Sequence, residues 1–211
     1  MSPFQMHFER RQLGGYEYAF LFVKKLPTAV LDFWHKTPER EPFISGNTAM
    51  ERFKAGDERA AVAFSRALGA IAGEFRNNRI DYVVPLIESD ATRATRDTPV
   101  GRLAVAAART LGAEVNVDIF RQTPRRTLHG GEVLNYDERY EIVHENLTIR
   151  GTHRGTRILL VDDVVSSGAT TSAYRDRFGE AGGTACAVLG VMKFAQEQPL
   201  LNPDIYPPLA V

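Results

Sequence analysis

The chain has 211 residues, 44% apolar and 25% charged, the balance of an ordinary globular domain. Twenty-six basic residues offset twenty-six acidic ones, so composition carries no overall electrostatic footprint for nucleic acid. The single cysteine, Cys186, excludes an internal disulfide framework and a cysteine-built zinc site; within its apolar run it reads as a small core residue.

In chain order, the aromatic-rich segment Tyr16–Val23 predicts a strand. Residues 24–28 turn the chain, and 29–34 are expected to return as a second strand. Pro38, Pro42 and Gly46 mark an irregular passage. Asp57 is placed to cap a helix reaching about Phe75, on which Phe64, Leu68, Ile71 and Phe75 share one apolar face. A short apolar strand over 80–86 runs into Glu88-Ser89-Asp90 and a polar loop holding Arg93 and Arg96. Pro99 and Gly112 bracket a helix containing Leu103, Val105 and Ala107. Another strand is expected over 115–120. The polar segment 121–150 exceeds an ordinary connection and reads as a mobile functional loop, with a short hairpin around 140–149. After a strand over 157–161, Tyr174 and Phe178 lie one turn apart on a helix that stops at Gly182-Gly183. A last strand covers 185–192, and Pro199, Pro203, Pro207 and Pro208 give the tail an extended character. Alternating strands and helices, with near-continuous apolar strands, predict an α/β fold: a mainly parallel sheet with helices on both faces.

The segment 157–171 concentrates the chemistry. An apolar run, Ile158-Leu159-Leu160-Val161, meets two adjacent carboxylates, Asp162 and Asp163. In open parallel sheets ligands sit beyond the carboxyl ends of strands. Paired acids there need partners that absorb their charge: vicinal sugar hydroxyls, a divalent cation or an arginine. Ser166, Ser167, Gly168, Ala169 and Thr170 follow, small enough for backbone N–H groups to approach an anion at the start of a helix. A lone Asp in such a place more often caps a turn; the acids and the small turn together point to a phosphorylated sugar. No Gly-Lys dipeptide and no Gly-x-Gly occurs, so the P-loop and the dinucleotide fingerprint are both absent.

Residues 158–170 resemble the phosphoribosyl diphosphate (PRPP) motif of the type I phosphoribosyltransferases. The order of elements from 80 to 192 also fits that family. Within it the chain looks most like the competence-protein-F (ComF) branch, on Phe53-Lys54-Ala55-Gly56-Asp57, Asp81-Tyr82-Val83-Val84-Pro85-Leu86, Glu138-Arg139 and Asn146-Leu147-Thr148-Ile149. It departs from that branch in lacking a cysteine zinc module and in carrying Thr95-Arg96-Asp97-Thr98-Pro99 after Leu86. The resemblance implies a phosphoribosyltransferase core over 57–211 and an N-terminal β-containing hood over 1–56.

By the same resemblance Asp162 and Asp163 would bind the ribose hydroxyls and, through water, Mg2+. Residues Ser166 to Thr170 would hold the 5-phosphate, and Arg93, Arg96, Arg125 and Arg126 would contact pyrophosphate. The implied reaction transfers ribose 5-phosphate from Mg2+–PRPP to a nitrogen nucleophile, a nucleobase or amine. Relatives acting on 6-oxopurines usually carry an acid where Ser166 stands, which argues against that acceptor class. The competing reading on the same scaffold is a non-catalytic PRPP- or nucleotide-sensing regulator, or a DNA-uptake accessory. A sugar-phosphate isomerase or phosphatase would need a base such as His129, His144 or His153, and nothing in the sequence fixes one. Phe20, Phe22 and Trp34 read first as core and second as stacking partners for a base. No apolar stretch nears the ~20 residues of a bilayer-crossing helix and the opening residues are unlike a signal peptide, so a cytoplasmic protein without membrane or nucleic-acid partners is expected. Its partners would be PRPP and a small-molecule acceptor, with a homodimer left open.

Overall fold

A computed structural model describes residues 8–35, 45–124 and 135–195. Arg125 and Arg126, and the proline-rich tail, lie outside the described residues. The N-terminal segment forms three antiparallel strands, β1 (Phe8–Leu13), β2 (Tyr16–Val23) and β3 (Leu26–His35). Two helices follow, α1 (Ser45–Lys54) and α2 (Glu58–Ala72), the second extended by a 3-10 turn over Gly73–Asn78. Asp57 caps α2, accepting from the Ala60 N–H at 2.9 Å.

Strand β4 (Tyr82–Pro85) leads through a structured loop into α3 (Pro99–Leu111), capped by Thr98 and closed by Gly112 at φ 66°. The short strands β5 (Glu114–Val115) and β6 (Phe120–Gln122) precede helix α4 (Tyr136–Asn146) and strand β7 (Leu147–Ile149). The motif strand β8 (Arg157–Val165), helix α5 (Ala169–Glu180) and strand β9 (Thr184–Ala195) complete the fold. The main sheet has the order β1-β2-β3-β9-β8-β4-β5, parallel from β3 to β5, while β6 and β7 pair separately. Both faces are covered, as the α/β expectation requires. Ile158 and Leu160 join a core with Tyr174 and Phe178 of α5; Leu159 and Val161 join one with Phe64 and Leu68 of α2 and Leu103 of α3. No helix among the described residues is long and apolar enough to cross a membrane.

The N-terminal strands join the central sheet, β3 pairing in parallel with β9. Several local expectations change. The stretch expected as a hairpin around 140–149 is mostly helix. A capping box between Asn135 and Glu138 starts α4, and the rings of Tyr136, Tyr140 and His144 stack down one side at 6.2 and 5.2 Å. The strand expected over 115–120 breaks into β5 and β6, with Asn116 turning the chain by accepting from the Asp118 N–H. Cys186 is only half-buried, and Phe22 is 65% exposed, so neither is a core residue.

Candidate functional site

The acid pair lies inside β8 rather than beyond it. Val164 and Val165 continue the ladder opposite Met192 and Lys193 of β9. Val161 and Val164 pack on the α2–α3 side, and Val165 on the α5 side. Each acid bonds to the backbone just ahead of it. The Asp163 N–H donates to Asp162 Oδ1 at 2.9 Å, and the Val164 N–H donates to Asp163 Oδ1 at 2.6 Å.

The pair is electrostatically loaded. Burial, and then the charge of Asp163, pushes the Asp162 carboxyl well above the usual carboxylate range, opposed in part by Arg139 of α4. Loss of hydration, followed by the charges of Asp90 and Asp163, also raises Glu88 at the exit of β4. Asp163 has its own counter-ion, Lys54 at the end of α1, whose Nζ lies 3.2 Å from Oδ2. Hydroxyl donors would relieve this charge; among the described residues no group of three or more metal-ligating side chains gathers, so a divalent cation would be held here by the acid pair through water.

The turn after β8 is shaped by two long-range contacts. Gly168 adopts φ 84°, and a Cβ there would overlap the Val23 side chain at the end of β2. Lys193, 8% exposed at the end of β9, donates from Nζ to the Ser166 carbonyl at 2.6 Å. Burial lowers its pKa to about 8. Helices α2, α3 and α4 are capped by side chains, whereas α5 begins at Gly168 without one. Ser167 Oγ accepts from the Ala169 N–H at 3.4 Å, and Thr171 Oγ1 donates to the Gly168 carbonyl. Beyond Ala169, whose N–H already meets Ser167 Oγ, α5 opens at a turn of small residues with no side-chain cap bond at Gly168, an arrangement suited to an anion.

The loop after β4 is held tightly. Gln122 donates to the carbonyls of Glu88 and Ala91 at 2.6 and 2.9 Å, and the Ile87 N–H donates to the buried Tyr174 hydroxyl at 3.0 Å. A Cβ on Gly101 would overlap the Thr95 carbonyl, so α3 packs directly under the loop. Arg96 donates to the Val115 carbonyl at 2.9 Å, and exposed Arg93 lends its charge to Asp118. The structure therefore brings Asp162, Asp163 and the turn 166–170 into one continuous segment, while both arginines of this loop engage neighbours at its β5–β6 side. Sequence reasoning gave no role to Lys54, Arg139, Glu88 or Lys193. The available signals were a lysine and an arginine inside the quoted motif stretches, and a lysine ending an apolar strand.

No family model matches the chain, and no curated protein matches it. Among solved structures it is similar to an orotate phosphoribosyltransferase from Aeropyrum pernix, at 19% identity over 66% of this chain and 63% of that one, with a TM-score of 0.39. An adenine phosphoribosyltransferase from Thermoanaerobacter pseudethanolicus shows 16% identity over 67% and 84% of the two chains, TM-score 0.40. A purine phosphoribosyltransferase from Pyrococcus horikoshii shows 14% over 81% and 97%, TM-score 0.34. The chain thus spans less than two thirds of the Aeropyrum protein's length.

Proposed function

We propose that the protein binds PRPP with Mg2+ and transfers its ribose 5-phosphate to a nitrogen nucleophile, releasing pyrophosphate. The observation that carries this reading is the acid pair in β8 leading directly into a turn of small residues at the uncapped start of α5. Asp162 and Asp163 accept from the ribose hydroxyls, and the N–H groups and hydroxyls of 166–170 hold the 5-phosphate. Each charge-assisted hydrogen bond there is worth about 1.5–3 kcal/mol. Mg2+, held by the same acids through water, would supply charge stabilisation to the departing diphosphate. Within the class we read the chain as ComF-like, on the sequence stretches Phe53–Asp57 and Asp81–Leu86.

The test is pyrophosphate release from PRPP across a panel of bases and amines. Wild type should turn over on at least one acceptor, and Asp162→Asn/Asp163→Asn should lose that activity with its fold intact. Undiminished turnover in the double variant would remove the site assignment. Tight PRPP binding with no turnover on any acceptor would favour the sensing role.

A further inference from the structure

The stretch Phe53-Lys54-Ala55-Gly56-Asp57 can be assigned residue by residue. Phe53 is fully buried, its ring edge-on to Phe64 at 5.4 Å. Gly56 takes φ 83° to reverse the chain, and its N–H donates to the Phe53 carbonyl at 3.0 Å. Asp57 caps α2. These residues fold the α1–α2 corner. Lys54 contributes its charge elsewhere, to Asp163, with its side chain 40% exposed. A lysine in the last turn of a helix also suits the helix dipole, but that alone does not require it to reach a carboxylate on β8.

We propose that Lys54 binds the diphosphate of the sugar donor: it holds Asp163 until the donor arrives, then transfers to the phosphate oxygens as a ribose hydroxyl takes its place. The inference rests on the phosphoribosyl reading above. Its basis is the occupancy of Asp163. Oδ1 already accepts from the Val164 N–H, so a sugar hydroxyl approaching this acid meets Lys54 at Oδ2. The donor also brings several negative charges to a place already crowded by Asp162, Asp163 and Glu88. An ammonium released from a carboxylate at that moment is the natural partner for them.

Position agrees. Met50 and Phe53 seat α1 on the α2–α3 face of the sheet, whereas the turn 166–170 opens α5 on the other face. A ribose lying over the acid pair with its 5-phosphate at α5 therefore directs its opposite end toward Lys54. Arg96, expected at the diphosphate from sequence, is engaged with the Val115 carbonyl.

The experiment compares wild type, Lys54→Met and Lys54→Arg by calorimetric titration with PRPP at fixed Mg2+, and with ribose 5-phosphate by competition. Lys54→Met should weaken PRPP by about tenfold or more, the size of one lost charge-assisted contact, and ribose 5-phosphate by less than about twofold. Lys54→Arg should recover most of the PRPP affinity. Equal losses for both ligands would assign Lys54 a structural role and overturn the proposal, as would unchanged PRPP binding in Lys54→Met. If wild type binds neither ligand, the phosphoribosyl reading itself falls and takes this inference with it.

Discussion

Lys193 offers a perturbation with a distinctive signature. The residue is 8% exposed, and burial brings its pKa from 10.5 to about 8 in the folded chain. Between those values the unfolded chain still carries the proton that the folded chain has released. The unfolded state binds more protons there, so this group makes stability rise with pH across that window and costs the fold stability below it. A displacement from 10.5 to about 8 corresponds to about 3 kcal/mol, with a slope near 1.4 kcal/mol per pH unit. Lys193→Met lifts that penalty but also loses the bond to the Ser166 carbonyl, itself about 1.5–3 kcal/mol. The two effects nearly offset at pH 7, so neutral stability should change little. Urea titrations at intervals from pH 7 to 10.5 are the assay. The difference between wild type and variant should swing by about 3 kcal/mol in favour of wild type as pH rises. Tyr18, Tyr140 and Cys186, all raised, also titrate in alkali, but they are common to both proteins and cancel in the difference. Parallel stability curves for the two proteins would refute the reasoning.

Three further outcomes follow from particular contacts. Burial and the hydrogen bond to Glu74 raise Tyr18 to about 12, so its contribution to stability is complete below pH 10 and is lost as pH rises through about 12; Tyr18→Phe should flatten that alkaline decline in a thermal melt series. Gly168→Ala meets both an unfavourable φ and the Val23 side chain, and should lower stability by more than about 1 kcal/mol and abolish detectable PRPP binding; a variant that binds normally would show that the turn adapts. Tyr174→Phe strips the Ile87 N–H of its buried partner and should cost about 1–3 kcal/mol in denaturant unfolding, with no such cost if another acceptor moves in.

Much of the fold was legible in short stretches because its signals are local. Asp57, Pro99 and Gly112 mark helix ends where the sequence places them, and the apolar run of β8 followed by small residues is complete within one segment. Helix α4 was missed because its start depends on a capping box among polar residues and its face on stacked rings, with little apolar periodicity. Phe22 illustrates the converse: an aromatic in a strand reads as core, but β2 lies next to the edge strand and leaves that side chain 65% exposed.

The sequence by itself determined the α/β alternation, the acid pair and the turn that follows it, since each is a property of neighbouring residues. Only the tertiary structure decided what surrounds them. Lys54 reaches Asp163 from α1, Lys193 anchors Ser166 from β9, and the end of β2 leaves no room for a side chain at Gly168. Those partners are distant in the chain and meet because parallel strands return to the same end of the sheet. Charge and shape at the site are therefore set by packing, which no local pattern records.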